Sequence, residues 1–190
     1  MNTEKIAIFQ DFFAACVGSW ATERTYHYLS QQEVERSRTE FTINPLNNDG
    51  KLKVLDDNQY PTHPDLESLP GYNLGFHTVS ERGDEVKQNL NLIFVPQQET
   101  NGYLEGDYLR DRAYEEAKPI ISHFRFHALT RELLMTTNYT QVVSVDSITL
   151  VNPNLRIRKI INYRRPEAGQ PLTDVSLVGF GVEQKQVRSN

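Results

Sequence analysis

Gly18-Ser19-Trp20-Ala21-Thr22-Glu23-Arg24-Thr25-Tyr26-His27-Tyr28 is the stretch whose reading decides the fold. Its side chains repeat with period two. Trp20, Thr22, Arg24, Tyr26 and Tyr28 share one face of a long strand, and Ala21, Glu23, Thr25 and His27 take the other. A solid core would fill the first face with aliphatic side chains. Aromatic rings around an arginine suit the wall of a pocket instead. The competing reading is an outer face covered by loops.

Outward from this strand, the period changes once and then stays at two. On the N-terminal side, Ile6, Phe9, Phe13 and Cys16 recur at steps of three and four, with Glu4, Lys5, Gln10 and Asp11 between them, so residues 3 to 16 are predicted helical, with Thr3 as N-cap. One helix in a β chain suits the plug of a barrel end. On the C-terminal side a strand is predicted from Val34 to Ile43. Asn47-Asn48-Asp49-Gly50 then reads as a turn and Lys51 to Leu55 as a short strand. Asp56 to Gly71, with Pro61, Pro64 and Pro70, reads as a long binding or docking loop. Further strands are expected at Tyr72 to Val79, Val86 to Pro96 and Gly102 to Leu109, the last two joined by an Asn101-Gly102 hairpin. Asp111 to Lys118 reads as a charged connector. Ile120 to Leu129, Glu132 to Tyr139, Gln141 to Val151, Leu155 to Tyr163 and Asp174 to Gln184 complete the set. About ten strands with short polar turns predict an all-β, up-and-down antiparallel barrel or a sandwich. Residues 1–190 are expected to form one domain, with 184–190 a disordered tail.

Composition removes several function classes. The 190 residues are 38% hydrophobic and 24% charged, and 20 basic against 25 acidic residues leave a net charge of -5. Such a chain lacks the positive footprint of a nucleic-acid or anionic-membrane binder. No apolar run has the length of a membrane span. Met1 to Lys5 is polar and lacks signal-peptide order, so a non-secreted protein is expected. Cys16 is the one cysteine, which excludes an internal disulfide and suits a reducing compartment. It falls on the apolar side of the helix end, so a structural thiol is expected rather than a nucleophile. No metal site is expected: His123 and His127 share a strand face but sit about 13 Å apart. His27, His63 and His77 have no ligand spacing, and Asn138-Tyr139-Thr140 reads as a strand end rather than a glycosylation acceptor.

Asn152-Pro153-Asn154-Leu155-Arg156-Ile157-Arg158 couples a tight turn to a strand carrying two arginines on one face and Leu155, Ile157 and Ile161 on the other. Strand arginines usually face water. The sharper reading is that one or both grip a ligand carboxylate by paired hydrogen bonds. Asp146 on the preceding strand and Glu183 on the last are their candidate counter-charges or acid–base groups.

Four stretches carry a resemblance. Gly18-Ser19-Trp20 after a short helix is similar to the Gly-x-Trp opening of lipocalin-like barrels. The fuller stretch to Leu29, with Glu35-Arg36-Ser37, Pro153-Asn154-Leu155-Arg156-Ile157-Arg158 and Phe180-Gly181-Val182-Glu183, resembles the S-type (CpcS/CpeS-type) phycobilin:phycobiliprotein chromophore lyases from near the N-terminus to the last strand. The resemblance implies a ten-stranded lipocalin- or fatty-acid-binding-protein-like barrel with an N-terminal helix. It implies the cytosol of a cyanobacterium or a plastid stroma. It implies attachment of an open-chain tetrapyrrole (a phycocyanobilin or phycoerythrobilin type, bound as substrate, with no prosthetic group) to a cysteine of phycobiliprotein apo-subunits of the phycocyanin or allophycocyanin type. A homodimer or a heterodimer with a related lyase is a further expectation. The family's first-strand arginine falls on Arg24, its motif arginine on Arg156 and its last-strand carboxylate on Glu183. Its other carboxylate falls on Asp146, where the longer glutamate is usual. Tyr72 and Phe76 stand where the family often has tryptophans.

On this reading a partner cysteine adds its sulfur to the ethylidene carbon of ring A. Arg24 and Arg156, with Arg158, clamp propionate or pair with a carboxylate that does. Asp146 and Glu183 hydrogen-bond pyrrole nitrogens and favour the protonated, more electrophilic chromophore. Trp20, Tyr26, Tyr72 and Phe76 pack against the ring planes. The alternatives are a non-catalytic carrier of fatty acid or another small hydrophobic ligand on the same barrel, and a lyase-like subunit inactive alone.

Overall fold

A computed structural model describes residues 3–111 and 118–186. Helix α1 (Thr3–Cys16) is followed by β1 (Gly18–Tyr28), β2 (Glu33–Pro45), α2 (Asn48–Asp57), β3 (Gly71–Ser80), β4 (Glu85–Thr100), β5 (Tyr103–Arg110), β6 (Ile120–His127), β7 (Glu132–Asn138), β8 (Val142–Asn152), β9 (Leu155–Arg164) and β10 (Val175–Lys185). The strands close into one antiparallel barrel in which each pairs with its sequence neighbours and β1 pairs with β10. Closure leaves no unpaired edge. It also resolves the barrel-or-sandwich alternative.

The period-two reading of β1 holds through the closed sheet. Trp20 is fully buried, and Arg24, Tyr26 and Tyr28 border the interior cavity. Asn101 and Gly102 both have positive φ, 49° and 87°, as a two-residue hairpin turn demands. Helix α1 stoppers one end of the barrel with rings. Phe9 stacks on Phe124 at 5.4 Å, and Phe13 stacks on Tyr72 at 5.5 Å. Phe12, absent from the predicted apolar stripe, is buried beside them. Thr3 is itself helical, the first described residue of α1, and so does not cap it. The Trp20 indole N–H then donates to Cys16 O at 2.8 Å, fastening the helix end to the first strand.

Two further expectations need correction. Lys51 to Leu55 is not a strand but the middle of α2. The Asn47 side chain accepts the Gly50 N–H at 2.9 Å and caps the helix, so the Asn-Asp-Gly sequence starts a helix instead of turning a hairpin. Lys51, Val54 and Leu55 are the buried positions, spaced three and four apart. The Lys51 ammonium reaches Glu67 O at 2.8 Å and Leu66 O at 3.2 Å, which ties the helix to the proline-containing segment that follows. The second correction concerns the tail. Gln184 and Lys185 belong to β10, and Gln186 N donates to Ser19 O at 2.8 Å. Residues 187–190 lie outside the described residues, as does the expected charged connector between its ends, Asp111 and Lys118.

Candidate functional site

Inside the barrel, above the α1 stopper, lies a cavity of about 400 Å³, bordered by Phe12, Phe13 and Cys16 of the helix and by side chains from the strands. That volume falls within the roughly 300–1,000 Å³ of ordinary small-ligand pockets. Phe41, Tyr72, Phe76, Phe94 and Tyr108 supply flat apolar wall. Against this, Arg24, Arg158, Arg156 and Asp146 border the cavity from β1, β9 and β8. The arginines of β9 therefore face inward, and Ile157, at 39% exposed, faces out.

Strand register explains the polar cluster. Thr22 on β1, Glu183 on β10 and Arg156 on β9 stand side by side, and Arg24, Gly181 and Arg158 form the next row. Arg156 donates from Nε and Nη2 to Glu183 Oε2, at 2.9 and 2.5 Å. Arg24 Nη2 reaches Glu183 Oε1 at 3.4 Å. Arg158 forms a two-pronged pair with Asp146, Nε to Oδ1 and Nη2 to Oδ2, both at 2.8 Å. Glycines make room for this. A Cβ on Gly181 would stand 3.0 Å from Arg24 Cγ and 2.8 Å from Thr22 Oγ1, and one on Gly179 would stand 2.5 Å from the Tyr26 ring.

The electrostatics follow the geometry. Burial alone would raise the Glu183 carboxyl, but Arg156, Arg158 and Arg24 outweigh it and hold its pKa below the usual range. Burial likewise opposes the Arg156 charge, and the carboxylate of Glu183 more than restores it. The Arg156 guanidinium carbon also sits 4.6 Å from the Trp20 ring centre and 5.3 Å from that of Phe41. The Tyr72 phenol is pushed up, chiefly by burial and then by Cys16.

The proposed site residues thus divide. Arg24, Tyr26, Tyr72, Phe76, Asp146, Arg156 and Arg158 converge on the cavity. Trp20 and Glu183, both at 0% exposure, do not border it. They form the layer behind, where Glu183 orients two arginines and Trp20 supports one. Glu183 is held behind the cavity wall, with both oxygens turned to guanidinium groups, whereas Asp146 faces the cavity. Of Arg24, Asp146, Arg156 and Arg158, Arg24 is the least committed. Its Nε is buried without a partner, and the same holds for Asn162 Oδ1 on β9.

Sequence reading missed Arg110, Tyr139, Tyr108 and Asn162, which also line the cavity. Period two from Leu104 through Gly106 and Tyr108 reaches Arg110 on the same face of β5, but the predicted strand stopped at Leu109. Asn162 continues the inward series Arg156, Arg158, Ile160 in the same way.

A closed ten-stranded barrel, stoppered by a helix and holding charged side chains over an aromatic cavity, defines a lipocalin-like ligand-binding protein. Comparison with known proteins sharpens the class. The family model described as "CpeS-like protein" matches residues 8–186. The "Chromophore lyase CpcS/CpeS 1" of Synechococcus sp. (strain JA-3-3Ab) is 58% identical over 93% of this chain and 96% of its own. The "Phycocyanobilin lyase subunit CpcS" of Picosynechococcus sp. is 22% identical over 82% of this chain and 78% of its own. The solved S-type phycobiliprotein lyase CPES from Guillardia theta superposes with a TM-score of 0.76 at 18% identity, covering both chains in full, a likeness of fold. The chain belongs to the CpeS-like family.

Proposed function

We propose that this protein is a chromophore lyase that binds an open-chain tetrapyrrole in the barrel and attaches it to a cysteine of a phycobiliprotein subunit. One observation carries the reading. A cavity walled by aromatic rings has Arg24, Arg158 and Asp146 opening onto it from β1, β9 and β8, within one arc of four consecutive strands. A conjugated, flat ligand with two carboxylates fits that combination better than an acyl chain, which needs a narrow aliphatic channel and one cation.

The reaction is an addition. The S–H of the acceptor cysteine adds across the exocyclic double bond of ring A. Sulfur bonds to the ethylidene carbon and the proton ends on the neighbouring ring carbon, with no change of oxidation state. The acceptor supplies the thiol, so this chain contributes position, face selection and protonation state. Orientation of this kind is worth on the order of 7 kcal/mol at its best. Arg24 receives a propionate, having the most unmet hydrogen-bonding capacity on its wall. Asp146, fixed by Arg158, keeps lone pairs for a pyrrole N–H and so favours the protonated, electrophilic chromophore. Arg156 and Glu183 hold that wall in shape. Tyr26, Tyr72 and Phe76 press on the ring planes.

The finer reading takes phycocyanobilin as substrate, phycocyanin or allophycocyanin apo-subunits as acceptors, and a cyanobacterial cytosol or plastid stroma as the setting. The test is co-expression with bilin synthesis and one apo-subunit at a time. Covalent colour that survives denaturation and depends on this chain is the expected result. A chain that leaves the spectrum of free bilin unchanged and transfers none would instead be a carrier of other ligands.

A further inference from the structure

A fourth guanidinium lines the cavity, away from the wall described above. Arg110 ends β5, which stands four places from the β1 of Arg24 in one direction around the barrel and six in the other. Its side chain borders the cavity, and the residue is only 4% exposed. Arg110 Nη2 donates to the Tyr139 hydroxyl at 2.9 Å. The guanidinium carbon lies 5.3 Å from the Tyr108 ring centre and 5.7 Å from that of Tyr139. Tyr108, Thr137 and Tyr139 border the cavity with it. Thr137 is itself fixed by a 2.9 Å hydroxyl contact with Ser122.

Burying an arginine is costly, and a buried arginine braced by rings is the residue type suited to a planar anion at a ligand site. The braced geometry limits the rotamer entropy lost on binding. We infer that Arg110, oriented by Tyr139 and Tyr108, is a second carboxylate-receiving pole of the cavity, opposite Arg24. This rests on the tetrapyrrole reading above. The ligand's two propionates sit on its two central rings, so a tetrapyrrole laid across the barrel presents one to each pole. The bilin is then held at two points, and its ring A is placed in a fixed direction relative to the acceptor thiol.

The test compares bilin diacid with its dimethyl ester, titrated by absorption into the full chain and into Arg110→Gln, Arg110→Lys and Arg24→Gln. Loss of one charge-assisted contact weakens diacid binding about tenfold or more. The expected result is that Arg110→Gln loses that much for the diacid and little for the diester. Arg110→Lys, which keeps the charge in the same fold, should fall between. Because one ligand bridges both poles, Arg24→Gln with Arg110→Gln should bind the diacid more weakly than either single variant. Variants that bind diacid as tightly as the parent overturn the inference, as do variants that lose diacid and diester alike. A parent chain that binds neither compound overturns the tetrapyrrole reading itself.

Discussion

Arg156 and Glu183 stand directly opposite each other on β9 and β10 and form the most deeply buried ion pair among the described residues. Glu183 is fully buried and Arg156 nearly so, so the pair must be complete to be tolerated. Removing one charge leaves the other stranded at a cost of about 3–5 kcal/mol. Glu183→Gln should therefore lower unfolding free energy by about that amount. Replacing both residues by methionine should cost less than the single change.

The pH dependence of that loss has a definite sign. Three arginines depress the folded pKa of Glu183. A depressed carboxylate stabilises the fold above its unfolded pKa, about 4.3 for glutamate, and loses that contribution as pH falls through the folded value. The stability difference between parent and Glu183→Gln should be flat above about pH 5 and shrink below it. Denaturant unfolding across this range checks it. A difference that grows on acidification would contradict the assignment.

Arg24 differs from Arg156 in being poorly committed. Its contact with Glu183 is long, at 3.4 Å, and Nε has no partner. Arg24→Gln should cost only about 1 kcal/mol of stability, the worth of one modest hydrogen bond. Bilin affinity should fall about tenfold or more, because a charge-assisted contact is lost. Calorimetry and absorption titration separate the two quantities. A large melting shift with unchanged affinity would make Arg24 a purely structural residue.

Gly179 lies under the Tyr26 ring. A methyl group there would stand 2.5 and 2.7 Å from Tyr26 Cδ1 and Cε1, so the ring must move. Tyr26 borders the cavity, and its displacement narrows the space for a ligand. Gly179→Ala should cost about 1–3 kcal/mol, as overpacking does, and should weaken bilin binding as well. Gly83→Ala, strained by a φ of +88° but with nothing within 4 Å of its Cβ, should lose stability without losing bilin binding and so separates the two effects.

How legible was this in the sequence? Strand β1 and its inward face could be read directly, because alternation survives wherever one face is buried. The arginines of β9 could be paired with Asp146 and Glu183 by charge, but which arginine takes which carboxylate depends on register. Register is long-range, and no local pattern encodes that Glu183 faces Arg156 while Arg158 slants to Asp146. Depth was hidden for the same reason: Trp20 and Arg24 alternate on one face, yet only Arg24 borders the cavity. Helix α2 was misread because Asn-Asp-Gly is both a hairpin signal and a capping sequence. The length of chain on either side, not the tripeptide, decides between them.

Among the described residues, Asp146 is the carboxylate that lines the cavity. Its two oxygens each accept one Arg158 N–H at 2.8 Å, which fixes its orientation without exhausting its lone pairs. An asparagine keeps the shape, accepts through one atom only and carries no charge. With Asp146→Asn the cavity loses the anion that favours a protonated tetrapyrrole, while Arg24 and the aromatic wall still bind it. The expected outcome is a bound bilin whose absorption shifts toward the neutral chromophore, and transfer to the apo-subunit slowed on the order of 10²-fold. Affinity should change far less than rate. Absorption of the complex across a pH series gives the protonation directly: the variant should need a more acidic solution than the parent to reach the protonated band. A variant with the parental spectrum and the parental rate would remove Asp146 from the chemistry.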